Sequence, residues 1–131
     1  MEFDNKFEVP LPVAEAWVVL MDIERIVPCM PGAEITEIID QDNFKGKVSV
    51  RLGPVALSFV GKVTFVETDA DKRRARIKAQ GTDSKGRGGA NADVRFAIEA
   101  AGAGSKVIIE TDLSLFGSIA QITPPVLPNS P

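Results

Sequence analysis

The chain has 131 residues, one domain's worth, and a domain of that size buries about 68% of its unfolded surface without a disulfide or metal staple. Net charge is −3, with one cysteine and no histidine. Nothing in the charge favours electrostatic binding to nucleic acid, and the residue counts exclude an internal disulfide, a four-ligand Cys/His zinc site, and Ser–His–Asp or Cys–His catalysis within the chain.

Residues 2 to 9 alternate, with Phe3, Phe7 and Val9 on one face, which predicts a half-buried strand ended by Pro10 and Pro12. The charged N-terminus MEFDNKFEV does not read as a signal peptide, and no run reaches the roughly 18 apolar residues of a membrane span. A cytoplasmic location is the expectation. From Val13 the period becomes helical: Val13, Ala16, Trp17 and Leu20 share a face, and Pro12 suits a helix start. Asp22 is placed to cap a second short helix through about Val27, ended by Pro28 and Pro31.

After Gly32 the period is two throughout. A strand runs from about Ile35 to Asp40. Phe44, Gly46, Val48, Val50 and Leu52 then alternate with Lys45, Lys47, Ser49 and Arg51. Past the Gly53-Pro54 turn, Leu57, Phe59, Gly61, Val63 and Phe65 form an apolar face. Ala75, Ile77, Ala79 and Gly81 do the same, as do Ala92, Val94, Phe96 and Ile98. In a last strand, at about 106 to 116, the set is Val107, Ile109, Thr111, Leu113 and Leu115. This order predicts an α+β domain. One curved antiparallel sheet of about seven strands has two short helices after its first strand and an apolar concave face. Small residues on that face, Gly46, Gly61, Ala75, Ala79, Gly81 and Ala92, fit curvature, a cavity or packed helices. Phe116 to Thr123 reads as a turn and a helix start, and the proline-dense tail 122 to 131 as extended or disordered.

Several segments invite chemistry. SKGRGG at 84 to 89 lacks the P-loop pattern and joins two strands, so it reads as a flexible hairpin. DKRRARIK at 71 to 78 puts Arg74, Arg76 and Lys78 on an outer face with Lys45, Lys47, Arg51 and Lys62. A basic stripe of this kind suits anionic headgroups or an acidic partner, or is a solvated face paired with Asp93, Glu99, Glu110 and Asp112. Trp17, with Leu20 and Met21, fits either a core or an apolar ligand pocket, and Met30 could adapt to a hydrophobic ligand. Glu15, Asp22 and Glu24 read as helix-surface residues. Cys29, in IVPCMPGAEI, has neither a histidine nor a second cysteine to work with and reads as an inert packed residue.

Trp17 followed by Leu20-Met21-Asp22, the Pro28 to Glu34 turn, KGKVSVRLGPVALSFVGKVTFVE at 45 to 67 and LFGSIAQ at 115 to 121 form a recognisable series. Over about residues 2 to 121 it resembles the CoxG family, the G subunit of carbon monoxide dehydrogenase, within the START-like (SRPBCC), helix-grip superfamily. The resemblance implies a curved sheet wrapped around a long C-terminal helix and enclosing a hydrophobic cavity. It also implies a non-catalytic accessory role beside molybdenum-containing carbon monoxide dehydrogenases and related hydroxylases, at the inner face of the cytoplasmic membrane. No covalent cofactor and no metal site are expected. The expected ligand is a respiratory quinone (menaquinone or ubiquinone) or another lipid, held by Trp17, Leu20, Met21, Met30, Val48, Leu57, Phe59, Phe65, Ile77, Phe96, Ile98, Ile109 and Leu113. The alternative is an interaction or membrane-recruitment module with a filled core. Where the family continues into the long helix this sequence runs into ITPPVLPNSP, so that helix is expected to be missing or truncated. The exposed sheet face would then be covered by a second copy in a homo-oligomer, or its cavity filled by another molecule.

Overall fold

The computed structural model describes residues 1–122. The tail expected to be extended or disordered, and the fate of the long C-terminal helix, lie almost wholly outside the described residues. The chain runs β1 (Glu2–Val9), α1 (Val13–Leu20), α2 (Ile23–Ile26), one turn of 3-10 helix (Val27–Cys29), β2 (Ala33–Ile38), β3 (Asn43–Leu52), β4 (Val55–Asp69), β5 (Arg74–Asp83), β6 (Gly89–Ala101), β7 (Gly104–Phe116) and α3 (Ile119–Ile122). The expected architecture, seven antiparallel strands with short helices after the first, is present.

The sheet order is β1-β7-β6-β5-β4-β3-β2. Strands β2 to β7 follow one another as hairpins, and β1 returns to the far edge against β7, with Glu2 opposite Asp112 and Val9 opposite Ser105. Register puts all the apolar sets on one side. Val48 faces Phe59, Phe65 faces Ile77, Ala75 faces Phe96 and Ile98 faces Val107. Successive side chains of a strand alternate between faces, so these sets share one side, the concave one, on which α1 packs.

Curvature has a specific cause at Gly61. It stands opposite both Gly46 and Gly81. A Cβ there would come within 1.7 Å of the Gln80 carbonyl oxygen, so only glycine allows the two backbones this close. The small residues were expected to serve curvature, a cavity or packed helices; at Gly61 the requirement is close backbone approach. Irregularities between Ile35 and Glu37 and between Phe65 and Glu67 add bends to β2 and β4.

The core sits at one end of the concave face. Ala16 and Trp17 of α1 pack against Ala75, Phe96, Ile98 and Val107, with Val9, Leu11, Val13, Leu20, Met21 and Ile109 around them. The Trp17 and Phe96 rings lie 6.4 Å apart in a tilted arrangement. Buried Ser105 donates its hydroxyl to the Leu11 carbonyl (2.5 Å), which pins the β1–α1 connection onto β7.

Two local expectations are corrected and one is refined. Asp22 occupies the N-cap position of α2, but its side chain makes no capping hydrogen bond and lies 4.0 Å from Arg25 instead. The α-helix ends at Ile26, just before Pro28 as expected, but the chain then continues through Pro28 in a 3-10 turn, at an early position where a missing N–H costs nothing. Cys29 is exposed rather than packed, and its thiol donates weakly to the Arg25 carbonyl at 3.7 Å.

Candidate functional site

The concave face has a closed end and an open end. Six of the sequence-predicted lining residues, Trp17, Leu20, Met21, Phe96, Ile98 and Ile109, gather at the closed end within the α1 core. There they touch one another. Leu57 is buried near the opposite end of the sheet, and Phe59, Phe65, Ile77 and Leu113 are half-buried along the inner side of their strands. Val48 is 42% exposed and Met30 51% exposed. Val50, Phe3 and Phe7, which were not in the predicted set, are 40%, 39% and 43% exposed on the same side by register. Phe65 is held edge-on against Phe44, with centroids 6.1 Å apart.

An apolar groove of this kind binds by area. Each square ångström of apolar surface that a ligand covers contributes roughly 25 cal/mol. Among the described strand residues, register places one charged side chain on the inner side, Asp83 at the end of β5, opposite Phe59. It is paired. Arg87 donates from Nε (2.6 Å) and Nη2 (2.9 Å) to the two carboxylate oxygens, and the Arg87 backbone N–H donates as well. The Arg87 side-chain hydrogen bonds, with burial opposing, hold the Asp83 carboxyl down to about 2. Sequence reasoning missed this pair. Its signal was D-x-x-x-R across a turn, a spacing usually associated with helices.

The same turn receives the end of β7. Gly88, at φ 129°, lies so close to the Phe116 carbonyl that a Cβ would come within 2.0 Å of that oxygen. Ser118 donates its hydroxyl, and Ile119 its N–H, to the Arg87 carbonyl. The hairpin expected to be flexible is therefore tied by the Asp83–Arg87 pair and the start of α3.

On the convex side the basic stripe is present as expected, and it is partly neutralised. Arg76 binds Asp93 through two nitrogens, Arg95 lies 3.8 Å from Glu110, and Lys45 lies 3.7 Å from Glu37. Arg76 lowers the Asp93 carboxyl through those hydrogen bonds, against opposing burial. Lys47, Arg51, Lys62, Arg74 and Lys78 form no ion pair among the described residues. Among the described residues there is no cluster of metal-ligating side chains, and no helix is long and apolar enough to cross a membrane.

The family model for CoxG, the G subunit of carbon monoxide dehydrogenase, matches residues 6–129. The chain belongs to the CoxG family. Its fold recurs at low identity in solved structures. A conserved protein from Geobacillus kaustophilus aligns with TM-score 0.78 at 18% identity, covering 93% of this CoxG-family chain and 79% of that one. The ZhuI aromatase/cyclase of Streptomyces sp. R1128 aligns at 0.62 with 15% identity, over 89% of this chain and 69% of that one. Norcoclaurine synthase from Thalictrum flavum also gives 0.62 and 15%, over 100% and 79%. At these identities the likeness shows the helix-grip fold alone. A search of curated protein sequences finds no match.

Proposed function

We propose that this CoxG-family protein is a non-catalytic accessory of a molybdenum-containing carbon monoxide dehydrogenase-type hydroxylase, holding a hydrophobic ligand in the open part of its groove. The observation that carries the reading is that the concave face keeps exposed apolar side chains on both sides of its core, Val48 and Val50 on β3 next to half-buried Phe59, and Phe3 and Phe7 on the far edge strand β1. A soluble protein rarely leaves such a surface uncovered. The ligand class we favour is a respiratory quinone, or another lipid of similar shape. A quinone carries its own redox chemistry, so the protein need supply only binding and orientation. The non-catalytic part of the reading rests on the inner face. The chain has neither histidine nor tyrosine, and among the described strand residues the one charged inner-side group, Asp83, is neutralised by Arg87.

Delivery of electrons to the membrane pool would place the protein at the cytoplasmic membrane surface. The unpaired bases of the convex face, Lys47, Lys62 and Lys78 among them, give that surface a means of contact. A second copy covering the open groove is the competing occupant in ligand-free protein.

The test is organic extraction and mass spectrometry of purified protein, followed by titration with menaquinone and ubiquinone while following Trp17 emission. Quinone recovery or saturable quenching is expected. Absence of both, with a stable dimer by light scattering, would overturn the ligand reading in favour of an interaction module. The packed α1 end of the groove favours that second reading.

A further inference from the structure

β1 is an edge strand: β7 pairs with it on one side, and among the described residues no strand pairs with it on the other. Its residues Glu2 to Glu8 are all exposed. The phase of its backbone follows from the residue before it. The Met1 amino group donates to the Leu113 carbonyl, and the Leu113 N–H donates to the Met1 carbonyl, both at 2.7 Å. Met1 and Leu113 are therefore a hydrogen-bonded pair. In an antiparallel ladder such pairs alternate, so Phe3, Asn5 and Phe7 direct their N–H and C=O groups to β7. Glu2, Asp4, Lys6 and Glu8 direct theirs to the open edge.

An edge of this kind is a template for another strand. Several common guards against such pairing are missing from β1. Its register with β7 is unbroken, it holds no proline, and its inward-facing residues, Phe3, Asn5, Phe7 and Val9, carry no charge.

The sequence of β1 is close to self-complementary when a second copy runs antiparallel to it about Asn5. On the concave side Phe3 then lies opposite the second copy's Phe7, and Phe7 opposite its Phe3, at the closer, non-hydrogen-bonded spacing. On the convex side Asp4 lies opposite the second copy's Lys6, and Lys6 opposite its Asp4. Neither Asp4 nor Lys6 has an ion pair among the described residues. Sliding the copies in either direction to the next same-face register loses the match. One slide sets Asp4 against Asp4 and Phe3 against Asn5; the other sets Lys6 against Lys6 and Asp4 against Glu8. The matched register has one fault: Glu2 meets Glu8 at each end, where solvent and salt screen the repulsion.

We infer that two copies of this chain pair through β1, antiparallel about Asn5, into one continuous sheet. The pairing leaves Val48 and Val50, near the opposite edge of each sheet, uncovered. It therefore differs from a copy lying over the groove, and it holds whether or not the groove takes a ligand.

Sedimentation equilibrium from micromolar to millimolar protein should show a monomer–dimer equilibrium. Asp4→Lys and Lys6→Asp each set like charges opposite one another, and each should weaken the dimer about tenfold. Mixed in equal amounts, the two variants should form a heterodimer about as tight as the wild-type dimer, because each supplies the charge the other lacks. That rescue separates a charge effect from a folding defect. Glu2→Lys, which makes the end pairs attractive, should tighten the dimer about threefold. Asn5→Cys in a Cys29→Ser background should oxidise to a covalent dimer, since facing Cα atoms at this spacing lie about 4.5 Å apart, within disulfide reach. A monomer throughout the concentration range, or a dimer indifferent to both charge variants, would overturn the inference. So would a mixture that associates no better than either variant alone.

Discussion

At the closed end of the groove Phe96, Ile98 and Val107 are at most 8% exposed, whereas Val48 and Val50 at the open end are 42% and 40% exposed. These residues belong to one sheet, alternate with the same period and face the same side. What separates them is the layer above. α1 packs on β6 and β7 and brings Trp17 down beside Phe96, while β3 lies toward the other edge of the sheet, outside that cover. A strand's pattern thus says which face is apolar. It does not say which part of that face becomes core and which part stays available to a ligand.

The comparison can be broken most sharply at Trp17. Trp17→Ala empties the packed end and should destabilise the fold by about 3–5 kcal/mol in urea unfolding. Ser105→Ala, which leaves the Leu11 carbonyl without its hydroxyl partner, should cost about 1–2 kcal/mol in the same assay. A pH series probes the other end. The folded Asp83 carboxyl sits at about 2, below its ordinary 3.8. Its contribution is therefore fully present above about pH 4 and is lost as pH falls through about 2. Asp83→Asn should remove that part of the acid sensitivity between pH 4 and 2, measured by thermal melts. The smallest effect on stability is expected from Val48→Ser with Val50→Ser, within about 0.5 kcal/mol for each. The same pair should weaken quinone binding by roughly three- to tenfold, since it removes apolar contact area. A large loss of stability here would mean that the open end is core after all.

Much of the fold was legible because half-buried antiparallel strands write themselves with period two. Lys45, Lys47, Arg51 and Lys62 between apolar residues marked the convex face before any pairing was known. Trp17 and Leu20 marked α1 by helical spacing. The candidate site was legible in outline only. Leu57, Phe59 and Phe96 look alike in the sequence, yet Phe96 is buried under α1, Leu57 is buried away from that cluster and Phe59 is only half-buried. The Asp83–Arg87 pair was hidden because a turn, not a helix, brings the two side chains together. Cys29 misled, and the turn through Pro28 went unseen, for a related reason: a single 3-10 turn exposes the one and accommodates the other, and one turn leaves no periodic trace.

The pairing of β1 with β7 has a consequence for assembly. β1 is the first strand synthesised and the last that can find its partner, because residues 104–116 must exist before Glu2 can lie opposite Asp112. The six later strands can zip together as successive hairpins of low sequence separation, while closing β1 spans most of the chain and is entropically slow. α1 is seated by the Ser105–Leu11 hydrogen bond beside that closure, so its docking is expected to come late as well. φ-values near zero at Phe7 and Trp17, against higher values in the β3–β4 hairpin, would test that order. Until the first strand returns, Phe96, Ile98 and Val107 lack their lid, and the half-made protein presents the whole inner face to whatever is nearby. During synthesis that exposure is an aggregation hazard; in the finished molecule only the open end of the groove keeps it.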